Sequence, residues 1–130
     1  MSDNATKLKS LIGQTFTNLE VESGASAYLF TANGIKVYIS YWRLCSSNES
    51  KVSSFDDKQK YGSATPIDSL KLLKEAILNI EISSIKLTDS FSDIEIKFTN
   101  NVIFQIFNFT GNEVWEVTFR DGTSILSNYL

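Results

Sequence analysis

The side chains that carry most acid–base and nucleophilic chemistry are scarce in this sequence. It has no histidine. That removes Ser-His-Asp and Cys-His catalysis, histidine proton transfer and most zinc sites. Cys45 is the one cysteine. It lacks an activating base and reads as a buried small apolar residue or a stray thiol. Neither a phosphate-cradling Gly-x-x-x-x-Gly-Lys loop nor a dinucleotide fingerprint is present. Carboxylates remain, in three groups: Asp56-Asp57, Asp89 with Asp93, and Glu113 with Glu116. Facing carboxylates can run glycoside chemistry or hold magnesium. Adjacent aspartates in a stretch rich in Ser and Lys are far more often a solvated turn. The sequence therefore predicts no catalytic residue, no cofactor and no metal, and a binding role follows by elimination.

Composition limits the partners. The net charge is −3 in 130 residues and the isoelectric point is near 4.9. Lys and Arg are scattered and outnumbered, whereas duplex binders present a basic face that releases counterions. Nucleic acid is thus not expected. A mildly acidic surface suits a basic protein partner. No apolar run approaches ~20 residues, so no membrane span is expected. The start, Met1-Ser2-Asp3-Asn4, lacks the basic and apolar regions of a secretory signal. With a single cysteine, this predicts a cytoplasmic location. Tyr38, Tyr41, Trp42, Phe107, Phe109 and Trp115 are core residues by default. A subset of Tyr38, Tyr41 and Trp115 is a candidate for an exposed patch of the kind that anchors protein interfaces.

These residues must be positioned by a mostly β chain. In Asp93–Phe109, Ile94, Ile96 and Phe98 alternate with charged residues. Asn100-Asn101 then breaks the run, and Val102, Phe104 and Ile106 resume it. That pattern is a hairpin with one apolar face. A three-residue loop, Thr99-Asn100-Asn101, sets Ile96 beside Phe104 and keeps the charges outside. Tyr28–Phe30, Asn33-Gly34 and Ile35–Ile39 form an earlier copy. There a two-residue Asn-Gly turn would place Phe30 and Val37 on one face. A shift of about 66 residues superposes Phe16 on Ile82, Leu19 on Ile85, Tyr28 on Ile94 and Phe30 on Ile96. An internal repeat of 7–42 and 73–109 is one explanation; the general similarity of meanders is the other.

In chain order, a short amphipathic helix spans Thr6–Ile12, and Gly13 can end it. Strands follow over Gln14–Glu22, Ala25–Ala32 and Ile35–Trp42. The stretch 43–64 has no strong periodicity beyond a short strand at Lys51–Phe55, and reads as a solvated or a recognition loop. Thr65 as N-cap, Pro66 at the first helical position and Asp68 two further on predict a helix start. Leu70, Leu73 and Ile77 then form its apolar stripe, widened by Leu72 and Ala76. Strands at Ile80–Thr88, the central hairpin, Val114–Phe119 and Thr123–Leu130 complete the chain. The expected fold is α+β, one domain over 1–130. It comprises an antiparallel, twisted sheet of six to eight strands, two αβββ meanders plus a C-terminal hairpin, packed against one main helix.

Three segments look familiar together: Ile39-Ser40-Tyr41-Trp42-Arg43-Leu44, Pro66-Ile67-Asp68-Ser69-Leu70, and Phe109–Val117 with its Glu113-Val114-Trp115. Their order, over roughly residues 8–118, resembles a family of small bacterial proteins of unassigned function. That family carries a WRL motif after an early strand and a YEAW-like segment near the end. Here Val114 replaces the usual small residue before Trp115, and Asn100-Asn101 replaces the usual glycine-containing turn. The family brings no accepted catalytic residues. In type, such compact acidic proteins resemble immunity proteins encoded beside polymorphic toxins, including contact-dependent growth-inhibition systems. The resemblance implies a cytoplasmic immunity protein that covers the active site of a cognate toxin domain, a nuclease with a basic cleft. Acidic and aromatic loop residues would make the contacts: Glu49, Asp56, Asp57, Tyr61, Asp89 and Asp93. The alternative is a small-ligand or structural accessory module that uses the concave side of the sheet. Oligomeric state is left open.

Overall fold

A computed structural model describes residues 2–46, 49–88, 93–108 and 114–127. Two short helices and ten strands appear among them. The first helix, α1, is Ser2–Leu8, extended by a 3-10 turn at Lys9–Leu11. Strands β1 (Phe16–Ser23), β2 (Ser26–Thr31) and β3 (Lys36–Ile39) follow. Next come β4 (Trp42–Ser46), β5 (Glu49–Ser53) and a 3-10 turn at Ser54–Asp56. The second half holds α2 (Ser69–Ile77), β6 (Ile82–Leu87), β7 (Ile94–Phe98), β8 (Val102–Ile106), β9 (Glu116–Thr118) and β10 (Ser124–Leu126).

The protein is α+β and its strand pairs are antiparallel, as expected. The strands form two sheets, however, not one of six to eight strands. Their orders are β1-β2-β3-β9-β10 and β5-β4-β8-β7-β6. Each sheet joins the three-stranded meander of one half to the hairpin that ends the other half. The expected strand Ile35–Trp42 is therefore broken at Ser40-Tyr41, where the chain leaves the first sheet for the second. Ile39 and Trp42 are both fully buried although they are three residues apart, a break of phase that a single strand over 35–42 does not allow.

Helix α1 and its 3-10 turn pack on β6, and α2 packs on β1 and β5. There is no single main helix; the two have seven and nine residues. The cap of α2 also differs from expectation. Asp68 is the N-cap, and its Oδ1 accepts from the Lys71 amide at 3.1 Å. Thr65 and Pro66 precede the helix, in the loop. Leu70, Leu73 and Ile77 are buried as the stripe predicts, whereas Leu72 is 42% exposed.

The two meanders share their irregularities. Phe16 faces Thr31 and Leu19 faces Leu29, with a bulge after Phe16. Ile82 faces Phe98 and Ile85 faces Ile96, with a bulge after Ile82. The second hairpin has its expected register, Ile96 opposite Phe104. The first does not. Leu29, not Phe30, stands opposite Val37, and Phe30 stands opposite Lys36. Its loop is Ala32-Asn33-Gly34, because the Thr31 amide donates to Ile35 O at 2.9 Å and Gly34 has φ +94°. A three-residue loop with its last residue in the left-handed region thus closes both hairpins; in the second, Asn101 has φ +68°.

The halves meet where β1 and β6 begin. Thr15 and Glu81 form an antiparallel bridge. The Gly13 amide donates to Ile82 O, and the Asn79 amide donates to Phe16 O, each at 2.8 Å. These bonds are reciprocal, so a local two-fold relates the two chain segments. The inner faces of both sheets then merge in one buried cluster. Phe16 packs on Phe98 with ring centroids 6.4 Å apart, and Trp42 meets Phe104 edge-on at 5.9 Å. Trp42 opens β4 and Trp115 immediately precedes β9; both are fully buried. Trp115 is therefore a core residue and not part of an exposed patch.

Leu73 is fully buried in this cluster. Leu73→Ala is expected to cost about 2–5 kcal/mol, since the space it leaves is only partly refilled. Denaturant unfolding of the variant against the parent checks this, and an unchanged midpoint would refute the packing described for α2.

Candidate protein-binding site

The stretch from Ser53 to Ser69 is fastened by its own polar side chains. Ser53 Oγ accepts from the Phe55 amide at 3.2 Å, and Asp56 Oδ2 accepts from the Ser53 amide at 2.8 Å. This reciprocal capping box builds the 3-10 turn. The other oxygen, Asp56 Oδ1, accepts from the Tyr61 hydroxyl at 2.7 Å. Asp57 Oδ1 accepts from the Ser69 amide at 3.0 Å, at the first residue of α2. Ser69 Oγ in turn donates to Ser53 O at 3.0 Å. Between these ties the Lys58 amide donates to Ile67 O at 2.8 Å and the Ile67 amide to Gln59 O at 2.9 Å. The stretch expected as an aperiodic loop is thus a β-hairpin, a capped turn and a cinched loop.

Two aromatic residues are presented on this base. Phe55 is 56% exposed and Tyr61 71%. Phe55 stacks on Tyr41, with centroids 5.7 Å apart and planes 20° apart. Lys58 and Tyr61 have positive φ, +67° and +47°. For a side chain with a Cβ this conformation costs roughly 1–2 kcal/mol. The hydrogen bonds around Asp56 and Ile67 hold the loop there. A groove of about 470 Å³ lies alongside, lined by Val21 and Gly24 from the β1 end and by Asp57, Lys58, Ile67 and Leu70. Val21 is 61% exposed. The surface therefore combines exposed apolar side chains with carboxylates whose positions are fixed, a combination found at protein interfaces.

The residues nominated from the sequence separate into groups. Asp56, Asp57 and Tyr61 come together in this loop. Glu49 lies on β5, where its Oε1 is 2.6 Å from Lys51 Nζ. It lines a different concavity with Arg43, Cys45, Glu95 and Gln105. The hydrogen bond from Lys51 holds the Glu49 carboxyl below its ordinary pKa. Asp93 is partly buried, and its Oδ1 accepts from the Asn108 amide at 2.8 Å. It is a structural tie and no part of the loop surface. Asp89 lies outside the described residues, as does Glu113. The Asp56 and Asp57 carboxylates are engaged by different segments, so they do not form a facing pair. No group of three or more His, Cys, Asp or Glu among the described residues is arranged to hold a metal ion. Phe55, Val21 and Ile67 were missed. The Ser53-x-x-Asp56 spacing was the available signal for the turn that displays Phe55.

No family model, curated protein or solved structure matches the chain. No helix among the described residues is long and apolar enough to cross a membrane.

The hydrogen bond to Asp56 raises the Tyr61 phenol above its ordinary pKa, because it stabilises the protonated form. A raised folded-state value means that this contact supports the loop below the ordinary phenol range. The support is lost as the pH climbs through the raised value. Asp56→Asn is expected to bring the Tyr61 transition down. The check is the ultraviolet phenolate titration of each protein, with Tyr61→Phe subtracted to isolate the one residue; an unmoved transition would refute the contact.

Proposed function

We propose that the protein is a cytoplasmic immunity protein and not an enzyme. It binds the C-terminal toxin domain of a contact-dependent or other polymorphic toxin system, a nuclease, and covers its active site. The observation that carries this reading is the fastened loop at 55–61. It holds two largely exposed aromatic side chains on either side of a doubly engaged aspartate. Aromatic anchors that are immobilised before binding lose little conformational freedom on association. Such residues supply most of the energy at protein interfaces, while a rim of acid steers a basic partner. The net charge of −3 acts in the same direction. A nuclease cleft must be cationic to hold phosphates, which makes it a fitting occupant for Asp56, Asp57 and the groove beside them.

The reading requires a large secreted exoprotein in the neighbouring gene, and the test is binding to the C-terminal domain of that protein, measured by titration calorimetry, together with nuclease activity in the same mixture. Tight binding and loss of nuclease activity are expected. Phe55→Ala and Tyr61→Ala should each loosen the complex by about thirtyfold, the scale of an interface anchor at about 2 kcal/mol. Glu75→Gln, on the exposed side of α2, should leave it unchanged. Absence of a complex would remove the proposal. A complex indifferent to both aromatic substitutions would remove this surface from it.

A further inference from the structure

The two sheets carry equivalent rows of residues across their outer faces, and the chemistry of the rows is opposite. On the second sheet, Lys86, Glu95, Gln105 and Arg43 stand side by side on β6, β7, β8 and β4. Three of these four side chains are tied to one another. Arg43 Nε donates to Gln105 Oε1 at 2.8 Å, and Gln105 Nε2 donates to Glu95 Oε1 at 3.2 Å. The Arg43 guanidinium also lies 5.5 Å from the centroid of the Phe107 ring.

On the first sheet the same positions hold Glu20, Tyr28, Tyr38 and Glu116, on β1, β2, β3 and β9. Both cations are replaced by glutamates, and the middle pair is aromatic. The Tyr28 and Tyr38 rings lie 5.1 Å apart, and both are partly exposed. Phe30 lies in the next row, opposite Lys36. Among the described residues the one ion pair is Glu49 with Lys51, so neither Glu20 nor Glu116 has a cationic side chain within ion-pair distance. Lys36 Nζ sits 5.4 Å from the Tyr28 ring centroid, so a ring of this row already takes a cation on its face.

We infer that this outer face is a docking surface for a cationic polypeptide segment. Arginine side chains of the segment pair with Glu20 and Glu116, and its apolar parts lie over Tyr28, Tyr38 and Phe30. Charge complementarity selects this occupant. Two unpaired carboxylates repel phosphate backbones, and a second copy of the chain laid on the same face would set glutamate against glutamate. The spacing is also suitable. Three strand-to-strand steps put the two glutamates roughly 14 Å apart, about the i to i+4 distance along an extended chain. The proposal does not depend on an immunity role, because the row lies on the outer side of the sheet and uses none of Phe55, Asp56, Asp57 or Tyr61.

The test uses the full chain, labelled for amide NMR, and a short extended peptide with arginine at positions i and i+4. Saturable shifts are expected around Glu20, Tyr28, Tyr38 and Glu116. The double variant Glu20→Gln, Glu116→Gln should weaken binding about tenfold at low salt, the upper range for two exposed ion pairs. Glu95→Gln on the other sheet should bind the peptide as the parent does. Three results would overturn the proposal: no saturable binding, shifts centred on the 55–61 loop, or a double variant that binds undiminished. Self-association of the chain through this face in place of peptide binding would overturn it as well.

Discussion

Everything in this fold depends on the crossing at Thr15 and Glu81. There two chain segments emerge from helical turns and each donates an amide to the other's first strand. The geometry needs a left-handed residue on both sides. Gly13 at φ +88° supplies one and Asn79 at φ +65° the other. These are the residue types that adopt this conformation at least cost. Once the crossing is made, β1 and β6 start from a common point and diverge into separate sheets. Each helix then lies against the first strand of the opposite half. Exchange of the terminal hairpins completes the arrangement, since β4 extends the second sheet and β9 the first.

Much of this was legible in the residues, and the failures have physical causes. Ile94, Ile96 and Phe98 alternate strictly with charged neighbours, so their face and register could be read directly. The run Tyr28-Leu29-Phe30 is apolar throughout and gives no phase. Asn33-Gly34 suggested a two-residue turn, and the true loop begins one residue earlier, which reverses the face assigned to Tyr28 and Phe30. Sheet membership was not legible, because a strand's partner is chosen by core packing far along the chain and leaves no local mark. The helix start was misplaced for a similar reason. Thr65 and Pro66 make a good local cap, but Asp57, twelve residues before Ser69, ties the amide that fixes the actual first turn.

The candidate site was legible in part. That Asp56, Asp57 and Tyr61 share one charged loop was legible, although only Tyr61 is exposed and the two aspartates are half-buried. Their roles were not, because a carboxylate that accepts from a backbone amide looks the same in sequence as one left free. Asp93 belongs to the former kind. Phe55 was passed over because an isolated phenylalanine is usually core, whereas here a capping box turns it outward. The fastened loop and the glutamate–tyrosine row share one property. In both, acid and aromatic groups are set on hydrogen-bonded backbone.

The hairpin exchange has a consequence for how the chain is made. Strand β3 receives its outer neighbour only when Glu116–Thr118 exists, about eighty residues later in synthesis. At common elongation rates that is a wait of roughly 4–16 s. During this interval the nascent first half carries an open edge, rimmed by Lys36 on one side and Ile39 on the other. Only Lys36 and the brevity of the strand discourage a wrong neighbour.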